Sequence, residues 1–495
     1  MKSNILRSIA AGVACLLAAS ACNPLDIVQD SKLSASNMWT SASDVTTSAN
    51  GIYYRMRSNF VSSSTNMFYW GEARVGSYMW GPSLFYNIHD ADMSAIVKNV
   101  MDQTTDGTSW SAIYTAIDQA NSVIKYAPKV SEMTEKDFGF AMGQAHFARA
   151  YLYFWVARVW GDAPLNLVPV ESTTQPECYP EKAPKADIYA QIGADIETAL
   201  SYADYLGTNK YLGTKDAVNM LKAEWALWMY SAQNGGDSYL ALAEEALKAI
   251  GISGTRLLAD YASIFSIDNK VNSEVVFALN NNQTEKLTGG YYSMFTFPTG
   301  AAANQYCQNP VPIYQTQWWS YSQNFVDKLL ASKEKGDKRV DCNLGIGEYG
   351  VNGEVLSWPN KFLGDMSSST CIFDCDLLYY RYAQAVMMDA ELKYYKKDYA
   401  GAVASLNLIA QRAYGKNLDI QATGEEVLNA LVEEYFLEFP CEGVIWWALI
   451  RLNKIEDINP AIKEYKATNP NILLWPISKS ALNRNYKLRQ TEGWS

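Results

Sequence analysis

The chain has 495 residues, of which 48% are hydrophobic and 19% are charged, so it can bury a large core and is not globally disordered. Its net charge at pH 7 is −11, and an acidic chain repels nucleic acid and anionic lipid headgroups, which argues against both as partners. The length suggests about three domains, although repetitive helical folds run longer as one unit.

Residues 1–21 have the pattern of an export signal. Lys2 and Arg7 precede an apolar run that is too short to span a bilayer. Cys22 then follows three small residues, as in a bacterial lipobox, although Ala19 stands where Leu is usual. The alternative is an ordinary signal peptide with an incidental cysteine. We predict that Cys22 becomes the lipidated first residue, which anchors the protein to a membrane that it does not cross. Loss of the signal lowers the net charge to −13, since it carries two basic residues and no acid, so we expect neutral or apolar ligands.

The cysteines and histidines do not form a pattern that binds metal. Six cysteines follow Cys22, and their scatter favours buried thiols, although Cys371 and Cys375 are close enough in sequence to pair outside the cytoplasm. A zinc site needs several close-set ligands, but the chain has only His89 and His146 and no CxxC pair. The sequence therefore predicts no cofactor, and a structural calcium ion is compatible with it but not required.

Most of the chain shows helical spacing, with apolar residues at three- and four-residue steps. The predicted helices cover 41–59, 110–126, 138–160, 186–205, 215–232, 239–250, 376–395, 399–414 and 424–449. They come as antiparallel-looking pairs of the tetratricopeptide type, with a period too irregular for consensus repeats. The segments 70–99 and 257–370 differ, because Gly, Asn, Ser, Thr, Pro and aromatic residues predict loops and short strands there. A long insertion of this kind in a helical chain is usually functional or a subdomain.

Catalysis has no visible apparatus in the sequence. Glu434, Glu438 and Glu442 recur at four-residue steps, which predicts a solvated or arginine-paired row on one helix face, and we interpret Asp389 and Glu391 in the same way. His146 lies in a predicted helix and is expected to pack. No nucleophile–base set and no phosphate-binding glycine loop is present, so we predict that the protein is not an enzyme.

The aromatic residues of the irregular segments carry the clearest chemical signal. The tryptophans of the predicted helices are expected in the core: Trp155, Trp160, Trp225, Trp228, Trp446 and Trp447. Those in Gly-, Asn- and Gln-rich surroundings are harder to bury, and an exposed aromatic plane can cover the apolar face of a sugar while nearby polar groups bond its hydroxyls. The candidate glycan-binding residues are Arg74, Tyr78, Trp80, Tyr291, Tyr292, Asn304, Tyr314, Trp318 and Trp319. The alternative for each aromatic residue is that it packs inside its own loop.

Five motifs occur in the order found in the RagB/SusD family of nutrient-binding lipoproteins. They are the start at Cys22–Asp26, Ala145–Tyr151 with the turn at Gly161–Pro164, the turn at Lys335–Arg339, Glu438 with Glu442, Gly443, Trp446 and Arg451, and the closing Leu474–Ile477 with Asn483 and Gly493. The chain resembles this family from Cys22 to its last residue. It departs from the family at Tyr435, Phe436 and Ala448, positions that we interpret as packing sites.

The resemblance implies a mostly α, SusD-like fold of tetratricopeptide-type helix pairs with an irregular insertion that bears short strands. We expect a lipidated tether at 22–36 and one domain at 37–495, with a helical scaffold at about 37–256 and 371–495 and a ligand-binding insertion at about 257–370. By resemblance, Trp80 lies on an early loop of a shallow glycan platform. The pairs Tyr291–Tyr292 and Trp318–Trp319 lie on the insertion.

The function implied by the resemblance is capture of neutral oligo- or polysaccharide at the outer membrane and delivery to a TonB-dependent, SusC-like transporter. The lipid anchor is then expected to face the cell surface. A peptide- or glycopeptide-binding lid is the main alternative, and apolar pockets with extended-backbone recognition would favour it. A secreted glycosidase would need two carboxylates facing each other at roughly 5–10 Å, and the sequence nominates no such pair. A purely structural lipoprotein would bury the aromatic residues of the insertion.

Overall fold

The computed structural model describes residues 38–60, 67–80, 91–285, 319–349, 354–365 and 372–494. Cys22 and several candidate site residues (Tyr291, Tyr292, Asn304, Tyr314 and Trp318) lie outside these ranges, as do His89, Cys307 and Cys371. Ser41–Ser495 forms one unit. None of the helices in the described ranges is both long and apolar enough to cross a membrane.

Helices dominate the described ranges. They are α1 (Ala42–Phe60), α2 (Met67–Gly71), α3 (Ala91–Lys98), α4 (Ser111–Tyr126), α5 (Glu135–Trp160), α6 (Lys185–Ser201), α7 (Lys215–Ser231), α8 (Ser238–Ile250), α9 (Gln323–Glu334), α10 (Val340–Asn343), α11 (Tyr382–Tyr395), α12 (Tyr399–Tyr414), α13 (Gly424–Glu438), α14 (Ile445–Arg451), α15 (Ile455–Ile458), α16 (Pro460–Lys466) and α17 (Lys479–Arg484). Short 3₁₀ helices lie at Ala127–Lys129, Pro176–Cys178, Ala203–Tyr205, Ala262–Phe265 and Ile267–Asn269. The predicted mostly helical fold is confirmed.

Successive helices pack against each other in pairs. Helices α4 and α6 both pack on α5, α7 pairs with α8, and α11 pairs with α12. Helix α5 begins at Thr134, whose side chain accepts a hydrogen bond from the backbone N–H of Asp137, and ends at Gly161 with φ of 73°. All its residues from Ala141 to Trp160 are buried, so α5 lies at the centre of the helices that pack on it. The helix tryptophans predicted to pack are buried, as expected.

Six short strands form three antiparallel pairs in the described ranges. The strands are β1 (Tyr78–Trp80), β2 (Val275–Leu279), β3 (Trp319–Tyr321), β4 (Gly345–Tyr349), β5 (Glu354–Trp358) and β6 (Leu377–Arg381), paired as β1–β3, β2–β6 and β4–β5. Both strands of the β2–β6 pair are buried along their whole length, which explains why every residue except Arg381 is apolar or aromatic. The short strands predicted between 257 and 370 are therefore present.

Two predicted helices and both segments predicted to be loop-rich need correction. Residues 377–381 form strand β6 rather than the start of a helix, because they pair with β2. The predicted helix 424–449 is two helices, since the backbone turns between α13 and α14, where Cys441 and Gly443 have φ of 65° and 69°. Helix α3 lies in the first loop-rich segment, where Met93 and Ile96 give it a buried face. Helix α9 lies in the second, where Phe325 and Leu329 are buried.

The row of glutamates is paired with arginine, as expected, but it is buried rather than on the surface. Glu438 accepts hydrogen bonds from Arg339, Arg381 and Arg412 and has no exposed surface. Glu442 lies beyond the end of α13, so it is not on the predicted helix face, and it is nevertheless bonded to Arg381. Burying these carboxylates is tolerable because guanidinium groups compensate their charge.

Candidate functional site

The β1–β3 ladder is the described part of the predicted glycan platform. Its register pairs Tyr78 with Tyr321 and Trp80 with Trp319. Trp80 is the last residue of β1 and Trp319 is the first residue of β3, so the segments 81–90 and 286–318 both join the chain at this end of the ladder. The candidate residues outside the described ranges belong to the second of these segments. The ladder pairs the residues that precede the first of these segments with the residues that follow the second.

Trp319 and Tyr78 are core residues, which corrects the expectation that they lie exposed for sugar stacking. The side chain of Trp319 is 0% exposed, and its ring centroid lies 5.2 Å from that of Phe68 and 5.7 Å from that of Tyr69. Tyr78 is 2% exposed and meets Phe68 edge-on at 4.8 Å. Helix α2 supplies this aromatic cover, and its contact with β3 joins residues far apart in the sequence. Neither ring presents a face to a ligand in this conformation.

Glu72 fixes the ladder to the turn between α13 and α14. Its carboxylate accepts hydrogen bonds from the backbone N–H groups of Cys441 and Gly443, each at 2.7 Å, and from the hydroxyl of Tyr78. Burial raises the pKa of Glu72 to about 7, against these hydrogen bonds, which lower it. Burial also raises the pKa of Tyr78 well above its usual value. Glu72, Tyr78 and the backbone of the turn therefore form a buried cluster of polar groups whose hydrogen bonds are made within the protein.

Arg74 is a structural anchor rather than a group that can bond sugar hydroxyls. Its Nε donates to Oδ1 of Asn99 at 2.7 Å, and its other nitrogens donate to the backbone carbonyls of residues 472–474. The guanidinium also lies over the ring of Trp446, 4.5 Å from the centroid. Arg74 is 1% exposed, and burial lowers its pKa to about 9. These contacts explain why it is unavailable to a ligand.

The other titratable residues considered in the sequence have partners inside the fold. His146 Nδ1 lies 2.7 Å from Oδ1 of Asp195, which Arg149 also contacts. Glu391 is buried against Arg451, and Asp389 bonds Lys393. The described cysteines, Cys178, Cys342, Cys375 and Cys441, are not joined by disulfide bonds. Within the described ranges, no group of three or more His, Cys, Asp or Glu residues is placed to hold a metal ion.

The sequence pattern did not point to a cavity of about 540 Å³ between α4, the loop after α5 and the C-terminal segment around α17. Two exposed tyrosines, Tyr179 and Tyr486, contact each other beside its walls. The signal that could have found Tyr486 is its polar setting, Asn483-Arg484-Asn485, in which an aromatic residue has little apolar cover.

Comparison with known proteins supports the fold and the family. Residues 24–220 match a family model described as "Starch-binding associating with outer membrane", and residues 313–494 match one described as "SusD family". SusD-like protein P38 of Formosa agariphila is 22% identical over 94% of both chains. SusD-like protein P2 of the same organism is 22% identical over 69% of this chain and 71% of its own.

Solved structures with this fold include NanU of B. fragilis, with 25% identity, a TM-score of 0.77, and coverage of 93% of this chain and 98% of NanU. A structure titled "Laminarin binding SusD-like protein" has 18% identity and a TM-score of 0.73, and covers 92% of this chain and all of its own. At that identity the likeness concerns the fold. Together, the two family models, the SusD-like relatives and the shared fold show that the chain belongs to the SusD/RagB family.

Proposed function

We propose that this protein is a non-catalytic glycan-binding lipoprotein that captures oligo- or polysaccharide at the outer membrane and delivers it to a TonB-dependent, SusC-like transporter. Its membership of the SusD/RagB family carries the proposal, because the model matched by residues 24–220 joins starch binding to the outer membrane. The laminarin-binding relative of the same fold adds a glycan ligand on this architecture. The acidic mature chain also favours a neutral ligand.

The glycan site of the proposal lies at the Trp80 end of the β1–β3 ladder. The residues proposed to contact sugar are Trp80, Tyr291, Tyr292, Asn304, Tyr314 and Trp318. Arg74, Tyr78 and Trp319, which the sequence grouped with them, are buried and are not proposed to contact sugar. Aromatic faces would cover the C–H face of the sugar rings, and the side chain of Asn304 would bond hydroxyl groups.

The proposal also covers how the protein is attached to the membrane and why it binds glycan without cleaving it. Cys22 would carry the lipid, the anchored protein would face the cell surface, and the helix pairs would face the transporter. Non-catalytic binding is supported by the buried carboxylates: Glu434, Glu438 and Glu442 are committed to arginine or lysine partners. A glycosidase needs two carboxyl groups that face each other across a substrate cleft.

Affinity gels test the glycan ligand. The soluble chain beginning at Asn23 is run through native gels that contain starch, laminarin or other polysaccharides, beside Trp80→Ala, Trp318→Ala and a control variant, Tyr54→Ala. Tyr54 is 57% exposed on α1, which is not part of the ladder. We expect at least one glycan to retard both the wild type and Tyr54→Ala. A tryptophan variant loses a stacking contact, so its affinity for that glycan should fall about tenfold and the gel should retard it less.

Trp319→Ala is unsuitable for this test, since removing a buried tryptophan would destabilise the ladder itself. If no polysaccharide retards the wild type, the glycan ligand is wrong and peptide binding becomes the better hypothesis. If a glycan binds but both tryptophan variants bind it equally well, the ligand is right and the placement of its site is wrong.

A further inference from the structure

The cavity beside α4 is a second candidate site, remote in sequence from the ladder. Helix α4 forms one wall through Ser111, Tyr114 and Asp118, and the loop at 164–180 and the C-terminal residues 481–488 form the others. Its volume of about 540 Å³ falls in the range of small-ligand sites, about 300–1,000 Å³. All of its lining residues lie in the described part of the chain.

The walls of this cavity are held in place by hydrogen bonds. Tyr114 donates its hydroxyl to the carbonyl of Pro164 at 2.6 Å, and Asp118 accepts from the backbone N–H of Val170 at 2.7 Å. Across the cavity, the side-chain amide of Asn485 donates to the carbonyl of Pro180 at 2.7 Å. These bonds tie the loop both to α4 and to the C-terminal segment. A ligand would therefore meet a formed site and would not have to order the loop.

Two charged side chains of opposite sign line the cavity without neutralising each other. In the described ranges, neither the guanidinium of Arg484 nor the carboxylate of Glu177 makes a hydrogen bond or ion pair. Arg484 offers donors only and Glu177 offers acceptors only. A ligand rich in hydroxyl groups can satisfy both, because each hydroxyl donates and accepts. A net charge on the ligand would be attracted by one of the two side chains and repelled by the other.

An exposed aromatic pair stands beside the same cavity. The rings of Tyr179 and Tyr486 have centroids 5.6 Å apart and are inclined by 42°. They are 41% and 69% exposed. Their sequence neighbours Cys178, Pro180 and Asn485 line the cavity, so the pair lies at its rim. Apolar faces next to unpaired polar groups match the two-sided chemistry of a sugar ring.

We propose that this cavity is a second saccharide-binding site, in which Tyr486 and Tyr179 stack on a sugar ring and Arg484 and Glu177 bond its hydroxyl groups. The choice of a saccharide rests on the proposed function, whereas the site itself rests on the cavity and its unpaired side chains. A second site would let one chain hold a polysaccharide at two points, which increases retention without a new contact at the ladder.

Cys178 provides a site-specific probe, because its half-buried thiol lines the cavity and the other described cysteines are buried. The soluble chain is alkylated with iodoacetamide, and the rate at Cys178 is followed by peptide mass spectrometry. The saccharides are maltohexaose, laminarihexaose and any glycan that retards the protein in the affinity gels. We expect a saturating saccharide to slow alkylation of Cys178 about fivefold or more.

The variants separate this site from the ladder. Arg484→Ala and Tyr486→Ala should each raise the saccharide concentration needed for protection about threefold to tenfold, from one lost charged hydrogen bond or one lost stacking face. Lys487→Ala is the matched control, since it removes the same charge three residues away on an exposed side chain outside the cavity lining, and should leave protection unchanged. The double variant Trp80→Ala with Trp318→Ala should retain the protection of Cys178 by saccharide.

Unchanged alkylation of Cys178 with every saccharide would overturn the second site. If the gels then still show retardation that depends on Trp80, the proposed function stands without a second site. Protection that Arg484→Ala and Tyr486→Ala leave intact would also overturn it. Protection of Cys178 that these variants weaken would support the second site even if Trp80→Ala has no effect in the gels.

Discussion

Glu72 illustrates how one buried side chain can make the stability of this protein depend on pH. Its carboxylate accepts hydrogen bonds from three donors, one of which is the hydroxyl of Tyr78 in the β1–β3 ladder. Burial nevertheless raises its pKa from 4.5 to about 7, because removal from water penalises the charged form more than the three bonds favour it. The folded state therefore holds this proton to a higher pH than the unfolded chain does.

The first prediction follows from the sign of this shift. The stability that Glu72 contributes is complete below its unfolded pKa of 4.5 and is lost as the pH rises through about 7. The free energy of unfolding of the wild type should fall by about 2 kcal/mol relative to Glu72→Gln between about pH 5 and about pH 8. Urea titrations across this window measure the difference. Glu132→Gln, at an exposed position, should run parallel to the wild type, and a parallel curve for Glu72→Gln would contradict the prediction.

At the scale of elements, the approach of α2 to the turn before α14 depends on the absence of a side chain. A Cβ on Gly71 would lie 1.9 Å from the carbonyl oxygen of Gly443, and the obstacle is backbone rather than a mobile side chain. Gly443 itself has φ of 69°, a conformation that favours glycine. The contact places the aromatic residues of α2 against Trp319, so the ladder and the late helices are joined through two glycines.

A pair of alanine substitutions tests this contact. Gly71→Ala should lower the free energy of unfolding by about 2–4 kcal/mol, because α2 must move away from Gly443. Gly51→Ala in α1 is the matched control: its Cβ would meet only Gln119 at 3.9 Å, and alanine in a helix interior should be neutral or stabilise by up to about 1 kcal/mol. Thermal unfolding of the two variants gives the comparison. Equal midpoints would show that the close approach is not required.

Helices with a regular apolar period could be predicted from the sequence, and elements defined by remote partners could not. The bounds of α12 are those predicted, and α4 and α7 differ by one residue at an end. The sequence predicts helix at strand β6 because its apolar run, residues 377–380, is too short to show a period, and only its pairing with β2 decides the conformation. Local composition can identify helix faces but not sheet partners.

The same limit applies to the candidate site. Trp319 lies in a polar stretch of sequence, and its burial depends on Phe68 and Tyr69, which are about 250 residues away in the chain. The sequence predicts Arg74 as a sugar ligand because its partners, the carbonyls of residues 472–474, are about 400 residues away in the chain. The family could be predicted because its short motifs occur in a fixed order in the sequence itself.

At the scale of the whole molecule, a buried network of charges connects segments that are distant in the chain. Glu438 of α13 is bonded to Arg339 before α10, Arg381 at the end of β6 and Arg412 of α12. Arg381 extends the network to Glu274, next to β2. The insertion and the helices that flank it therefore share one cluster of compensated charges, and removal of one member leaves others buried without their full complement.

Glu438 is the centre of this network, and its loss should weaken the fold as a whole. Burial alone would raise its pKa, but Arg412, Arg381 and Arg339 outweigh burial and hold the pKa well below its usual value, so the carboxylate is charged. Glu438→Gln should lower the free energy of unfolding by about 3–5 kcal/mol, since three buried guanidinium groups lose a shared counter-charge.

Glu244→Gln is the matched control, because it breaks an exposed pair with Lys396 and should cost less than about 1 kcal/mol. Urea unfolding followed by both tryptophan fluorescence and circular dichroism measures the two variants against the wild type. Because the network spans the insertion and the helices around it, the two probes should shift together in Glu438→Gln. A shift confined to one probe would mean that the network stabilises only part of the molecule, and equal midpoints for the two variants would mean that its charges add no more than a surface pair.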